Sequence, residues 1–161
     1  ICACLVGSEM CIRDRYAGEL FDANEIQADW DQPQFQDDAW KFVKTADYGF
    51  DNLHAQSGEP VIPVMTLSVK EVLHSPKGET ILDFGQNISG RVSMKVNAIK
   101  GTQITLEHCE VLDKDGNYFN NIMMAEKIGR TQRDVYISNG KASFYQPHFT
   151  YHGISKMASS I

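Results

Sequence analysis

Between Ile81 and Val111 the side chains alternate in the way a half-buried sheet requires. Val92, Met94 and Val96 interleave with Arg91, Ser93, Lys95 and Asn97, and Ile104 and Leu106 interleave with Thr105 and Glu107. A period of two sends one set of side chains to a core face and the other to water. Gly85 and Gly90 bracket a polar loop, and Gly101 stands where the next connection must turn. Further on, Val135 and Ile137 alternate against Asp134, Tyr136 and Ser138, after which Asn139-Gly140 supplies a strong hairpin signal with residues 143–151 as the returning partner. Strands are expected near residues 62–73, 79–84, 91–98, 103–111, 132–138 and 143–151, an all-β antiparallel sandwich. Ile122 to Ala125 suits a helical turn or an extended crossing equally.

Three blocks occur in a fixed order: Asp83-Phe-Gly-Gln-Asn87, Glu107-His-Cys-Glu-Val-Leu-Asp-Lys-Asp-Gly-Asn117 and Phe149-Thr-Tyr-His-Gly153. Together they resemble the concanavalin-like β domain of bacterial α-L-rhamnosidases, glycoside hydrolase family 78. Upstream, Tyr16 to Ala23 resembles the end of the galactose-binding-like β-sandwich that precedes it. The resemblance implies a jelly-roll or concanavalin-like sandwich over residues 59–153, after an incomplete piece of the N-terminal β domain and a linker over 16–58. Residues 1–15 are similar to translated adaptor sequence and are read as a non-native leader, and residues 154–161 depart from the family pattern as an atypical tail.

The family's catalytic acids lie in an (α/α)6-barrel that follows this region. The resemblance therefore implies a non-catalytic accessory portion whose partners are that barrel and, through the parent enzyme, rhamnosylated carbohydrate. A stand-alone carbohydrate-binding module is the alternative, and a self-sufficient hydrolase is a third. Fold alone does not decide among them, because reactions belong to sites.

Composition narrows the field. Fifteen basic residues against 21 acidic ones, a net charge of −6, leave no electrostatic footprint for nucleic acid. No apolar run approaches the length a bilayer-spanning helix needs. Cys2, Cys4 and Cys11 crowd one end while Cys109 stands alone, which is no disulfide framework, and the adjacent His108 and Cys109 would leave a strand on opposite faces. No compartment is implied.

Candidate binding residues are few. Trp30, Phe35 and Trp40 sit in a stretch rich in turn formers, where they anchor a loop or offer sugar-stacking platforms. Tyr151 and His152 are the other carbohydrate candidates. Asp83, Gln86 and Asn87, beside glycine, are expected to bond backbone groups in their own loop. Asp113, Asp115 and Asn117 open like a calcium loop, yet Tyr118 and Met124 occupy the positions where an EF-hand needs Gly and Glu, so a hairpin turn is favoured and neither metal nor cofactor is expected. Among Asp83, Glu107, Glu110, Asp113 and Asp115 no catalytic pair is fixed; Glu107 and Glu110 have an odd spacing and diverge on a strand. Val43, Phe50 and Leu53, with Phe149, Tyr151 and Ile154, are apolar residues whose cover is expected on neighbouring domains, although Phe149 and Tyr151 suit the local core equally well.

Overall fold

The computed structural model describes residues 11–14, 18–47, 49–120, 132–148 and 150–161. The turn or crossing expected at 122–125, Phe149, and residues 1–10 and 15 of the stretch read as a leader lie outside them. The chain divides into two compact units, one of Ile1–Ile26 with Thr66–Ile161 and the other of Gln27–Met65.

The larger unit is a β-sandwich. Its strands are β1 (Cys11–Asp14), β2 (Gly18–Asp22), β3 (Glu71–His74), β4 (Thr80–Gly90), β5 (Met94–Val96), β6 (Gln103–Cys109), β7 (Arg133–Ile137), β8 (Ser143–Tyr145) and β9 (His152–Ser160), with a 3-10 turn at Ala23–Glu25. Seven of them form one sheet in the order β1-β2-β7-β6-β9-β4-β3, and β5 pairs with β8 in a second, two-stranded sheet. All pairs are antiparallel except β2 with β7, where Leu20, Phe21 and Asp22 run parallel to Val135, Tyr136 and Ile137. The core lies between the sheets. One cluster joins Ala23, Val96, Tyr136 and Tyr145, and a second joins Val92, Leu106 and Met157.

Several expectations are corrected by this topology. Only Glu71–His74 of the stretch expected at 62–73 is a strand, because Val61, Ile62, Val64 and Met65 are exposed and pair with nothing among the described residues. The strand expected at 79–84 runs on to Gly90 as β4, taking the polar loop into the sheet as a register shift between Asp83 and Ile88. A bulge of this kind lets a strand bend without ending. Residues 143–151 do not return beside β7: the turn forms, with Asn139 Oδ1 accepting from the Lys141 amide at 3.0 Å, but it hands the chain to the other sheet, where β8 pairs with β5.

Two further corrections concern which side chains are inside. On β7 the buried set is Asp134, Tyr136 and Ser138, while Val135 and Ile137 are half-buried. Polar groups are tolerated there because each is bonded: the Tyr136 hydroxyl to Ser143 Oγ at 2.6 Å, and Ser138 Oγ to the Ala98 carbonyl at 2.9 Å. The tail at 154–161 is most of β9, a central strand between β6 and β4. Ile154, at 2% exposure, belongs to the local core and not to a lost interface.

At Gly18 the backbone takes φ +99°, and a Cβ would overlap the Arg133 carbonyl oxygen. Glycine alone lets β2 enter so close to β7.

Candidate functional site

Three adjacent strands converge on one buried cluster. His108 comes from β6, Asp134 from β7 and His152 from the start of β9. In the β6 and β7 ladder Leu106 faces Asp134, so His108 and Asp134 point to the same side of the sheet, one pair apart. His152 joins them because β9 changes phase: His152 and Ile154 are buried, then Met157 and Ala158, where the β4 partner jumps from Ile88 to Asp83.

The side chains of all three are fully buried. His108 Nε2 lies 2.9 Å from Asp134 Oδ2, and His152 Nε2 lies 3.4 Å from Asp134 Oδ1 and 3.2 Å from Thr150 Oγ1. The two imidazoles stack with centroids 4.2 Å apart and planes 16° from parallel. From β2 the Glu19 amide donates to Asp134 Oδ1 at 3.1 Å. Burial alone would raise the Asp134 carboxyl, but hydrogen bonds from His108 and His152 outweigh it and hold it at about 2. Burial pushes the His108 imidazole down, against the pull of Asp134.

An ionised carboxylate can only accept, so His108 Nε2, the nearer ring nitrogen, carries the hydrogen, while His152 Nε2 has both Asp134 and the Thr150 hydroxyl within reach. His108 Nδ1 is then bare, and among the described residues neither imidazole has a partner at Nδ1. The donor atoms of the three residues lie within 4.8 Å of one another, a spacing that suggests a metal. The stacking opposes it: nearly parallel rings aim their lone pairs side by side, whereas a tetrahedral ion needs them to converge.

The carbohydrate candidates fall in different places. Trp30, 45% exposed, and half-buried Trp40 are in the Gln27–Met65 unit, where Trp40 tilts against Phe35 at 5.3 Å and its Nε1 donates to Gln27 Oε1 at 2.8 Å. Tyr151, 44% exposed, is in the larger unit. His152 is at 1% exposure within the buried cluster, so it offers no sugar-facing surface.

Of the loop residues, Asp83 Oδ1 accepts from the Gly85 amide at 2.7 Å and Oδ2 pairs with Lys156 at 3.1 Å, while Gln86 and Asn87 are exposed along β4. Asp113 Oδ1 accepts from the amides of Asp115 at 2.9 Å and Asn117 at 2.7 Å, closing its own turn. Glu107 pairs with Arg133. Glu19, not singled out by sequence, is buried, and its carboxylate accepts from the Tyr145 hydroxyl at 3.1 Å and the His148 amide at 3.3 Å. Among the described residues no helix is long and apolar enough to cross a membrane.

The larger unit is an all-β sandwich organised around a buried polar node. Residues 73–155 match the bacterial alpha-L-rhamnosidase concanavalin-like domain and residues 6–65 match the alpha-L-rhamnosidase N-terminal domain. The chain belongs to the bacterial α-L-rhamnosidase family. It is 36% identical over 142 residues to an alpha-L-rhamnosidase of Streptomyces avermitilis, covering 87% of this chain and 13% of that protein. It is 32% identical over 139 residues to one of an Alteromonas species, covering 86% and 15%. Among solved structures, native α-L-rhamnosidase from Aspergillus terreus superposes with a TM-score of 0.83 at 28% identity, covering 93% of this chain and 17% of that one. The Streptomyces avermitilis enzyme complexed with L-rhamnose gives 0.78 at 33% identity, covering 91% and 14%. The chain thus spans only 13–15% of the length of these sequence relatives.

Proposed function

We propose that this chain is the non-catalytic β portion of an α-L-rhamnosidase, a hydrolase of terminal α-L-rhamnose in glycosides and polysaccharides, and that it supports an (α/α)6-barrel catalytic domain. The observation that carries the reading is the succession of the two domain matches in a chain covering so little of each relative. The acidic side chains support it. Inverting glycosidases need two carboxyls roughly 6.5–9.5 Å apart with a water between them, and Asp83, Glu107 and Asp113 are each occupied by a cation or by their own turn. In the Gln27–Met65 unit Phe42, Val43, Phe50 and Leu53 are largely exposed, which suits a segment that packs on further protein.

The test is turnover of an aryl α-L-rhamnoside by the purified chain. No release of the aryl alcohol is expected. Release that is abolished by Glu107→Gln, Glu110→Gln or Asp113→Asn would overturn the reading. Calorimetry with L-rhamnose addresses the binding-module alternative: a saturable heat lost in Trp30→Ala would favour it.

A further inference from the structure

We propose that His108, Asp134 and His152 form a proton-operated latch, which holds β2 on the sheet through the Glu19 amide and lets go when the His108 imidazole takes up a second ring proton. The acceptor inventory carries the idea. With the His108 Nε2 hydrogen turned toward Asp134, an incoming proton can add only at Nδ1, which is buried without a partner among the described residues. A proton added there would make a buried N–H with no acceptor and a cation stacked 4.2 Å from the second ring. Water supplies the missing acceptor only if the cluster opens. Opening therefore takes up a proton, and acid drives it.

The charged surroundings do not relieve the problem. On β2 the Glu19 carboxylate is engaged by Tyr145 of β8 and the His148 amide. Glu107 of β6 is paired with Arg133 of β7, and Lys156 of β9 with Asp83 of β4. Cys109, next to His108, is buried. Burial, the largest influence on His108, favours the neutral ring. The part the latch would release is β2 with the β1 strand outside it: β2 meets β7 over three residue pairs and is bonded to Asp134 by its own backbone.

The sign follows from linkage. Because the closed state resists a proton that the open state accepts, the hold is complete above the ordinary histidine value of 6.5 and weakens as pH falls below it. Amide hydrogen exchange on the intact chain, corrected for the pH dependence of the chemical step, should show protection of Glu19 to Asp22 falling about tenfold per pH unit below that value. Amides pairing β3 with β4 should not follow. His108→Gln, which keeps a donor but cannot titrate, should flatten the β2 response. Should that variant fail to fold, nitrogen NMR of the native histidines still decides: His108 must be Nε2-protonated at neutral pH. Protection of β2 independent of pH, an Nδ1-protonated His108, or stoichiometric zinc held by these residues would overturn the proposal.

Discussion

Asp134 shows what one inward polar residue does to this sheet. Removing it strands the His108 imidazole N–H and the Glu19 amide in the interior. Losing one member of a buried charged network costs about 3–5 kcal/mol, so Asp134→Ala should lower the urea midpoint sharply without changing the denaturant slope. Acid acts on the same group. Its carboxyl is held near about 2 against an ordinary 3.8, so its stabilisation is complete above pH 3.8 and disappears as pH falls toward 2. Cys109 moves the other way. Burial raises its thiol to about 11, so stability it confers is complete below its ordinary 9.0 and lost as pH rises through 11; at pH 8, peptide mapping after alkylation should find Cys109 unlabelled until the chain is unfolded.

Alternation reveals that β7 has two faces, but polarity misleads about which is inner, because Asp134 and Ser138 have their partners supplied by residues 26 and 40 positions away. His152 was legible as part of a motif and illegible as a partner of His108. Only the phase change in β9 puts them side by side, close to where the β4 register shifts. A bulge leaves little trace in local composition when its bent strand still pairs at both ends.

Among the elements, the strands flanking glycine turns were the readable ones: β6 ends within two residues of expectation and β7 within one. The chain's last strand was not, since Ile154-Ser-Lys-Met-Ala-Ser-Ser mixes small and polar residues in a place where both neighbours are strands and few large side chains fit. Deleting residues 154–161 should therefore cost much more than trimming an ordinary terminus. It removes the partner of both β4 and β6, and circular dichroism should show loss of the cooperative thermal transition. At the other side of the sheet, Gly18→Ala forces a side chain against the Arg133 carbonyl and an unfavourable φ. Strain of this kind costs about 1–3 kcal/mol, and chemical unfolding of the variant should report it.

For the whole molecule, the family was legible in three short blocks because each fixes a turn or a strand end. The exposure of the Gln27–Met65 unit was not, beyond Val43, Phe50 and Leu53. Phe42, Val61, Val64 and Met65 are also largely in water. Unmatched apolar surface favours association, so light scattering of the isolated chain should show mass rising with concentration, and Phe42→Ser with Phe50→Ser should reduce it.

The parallel pairing of β2 with β7 has a consequence measured in time. Glu19 and Asp134, which bond across it, are 115 residues apart in sequence. At a synthesis rate of roughly 5–20 residues per second, β2 leaves the ribosome about 6–23 s before the strand it must join exists. Throughout that interval Leu20 and Phe21 lack their β7 partners Val135 and Tyr136. Whatever shields them then, a chaperone or the growing polypeptide itself, helps decide the yield of folded protein as surely as any contact in the finished sandwich.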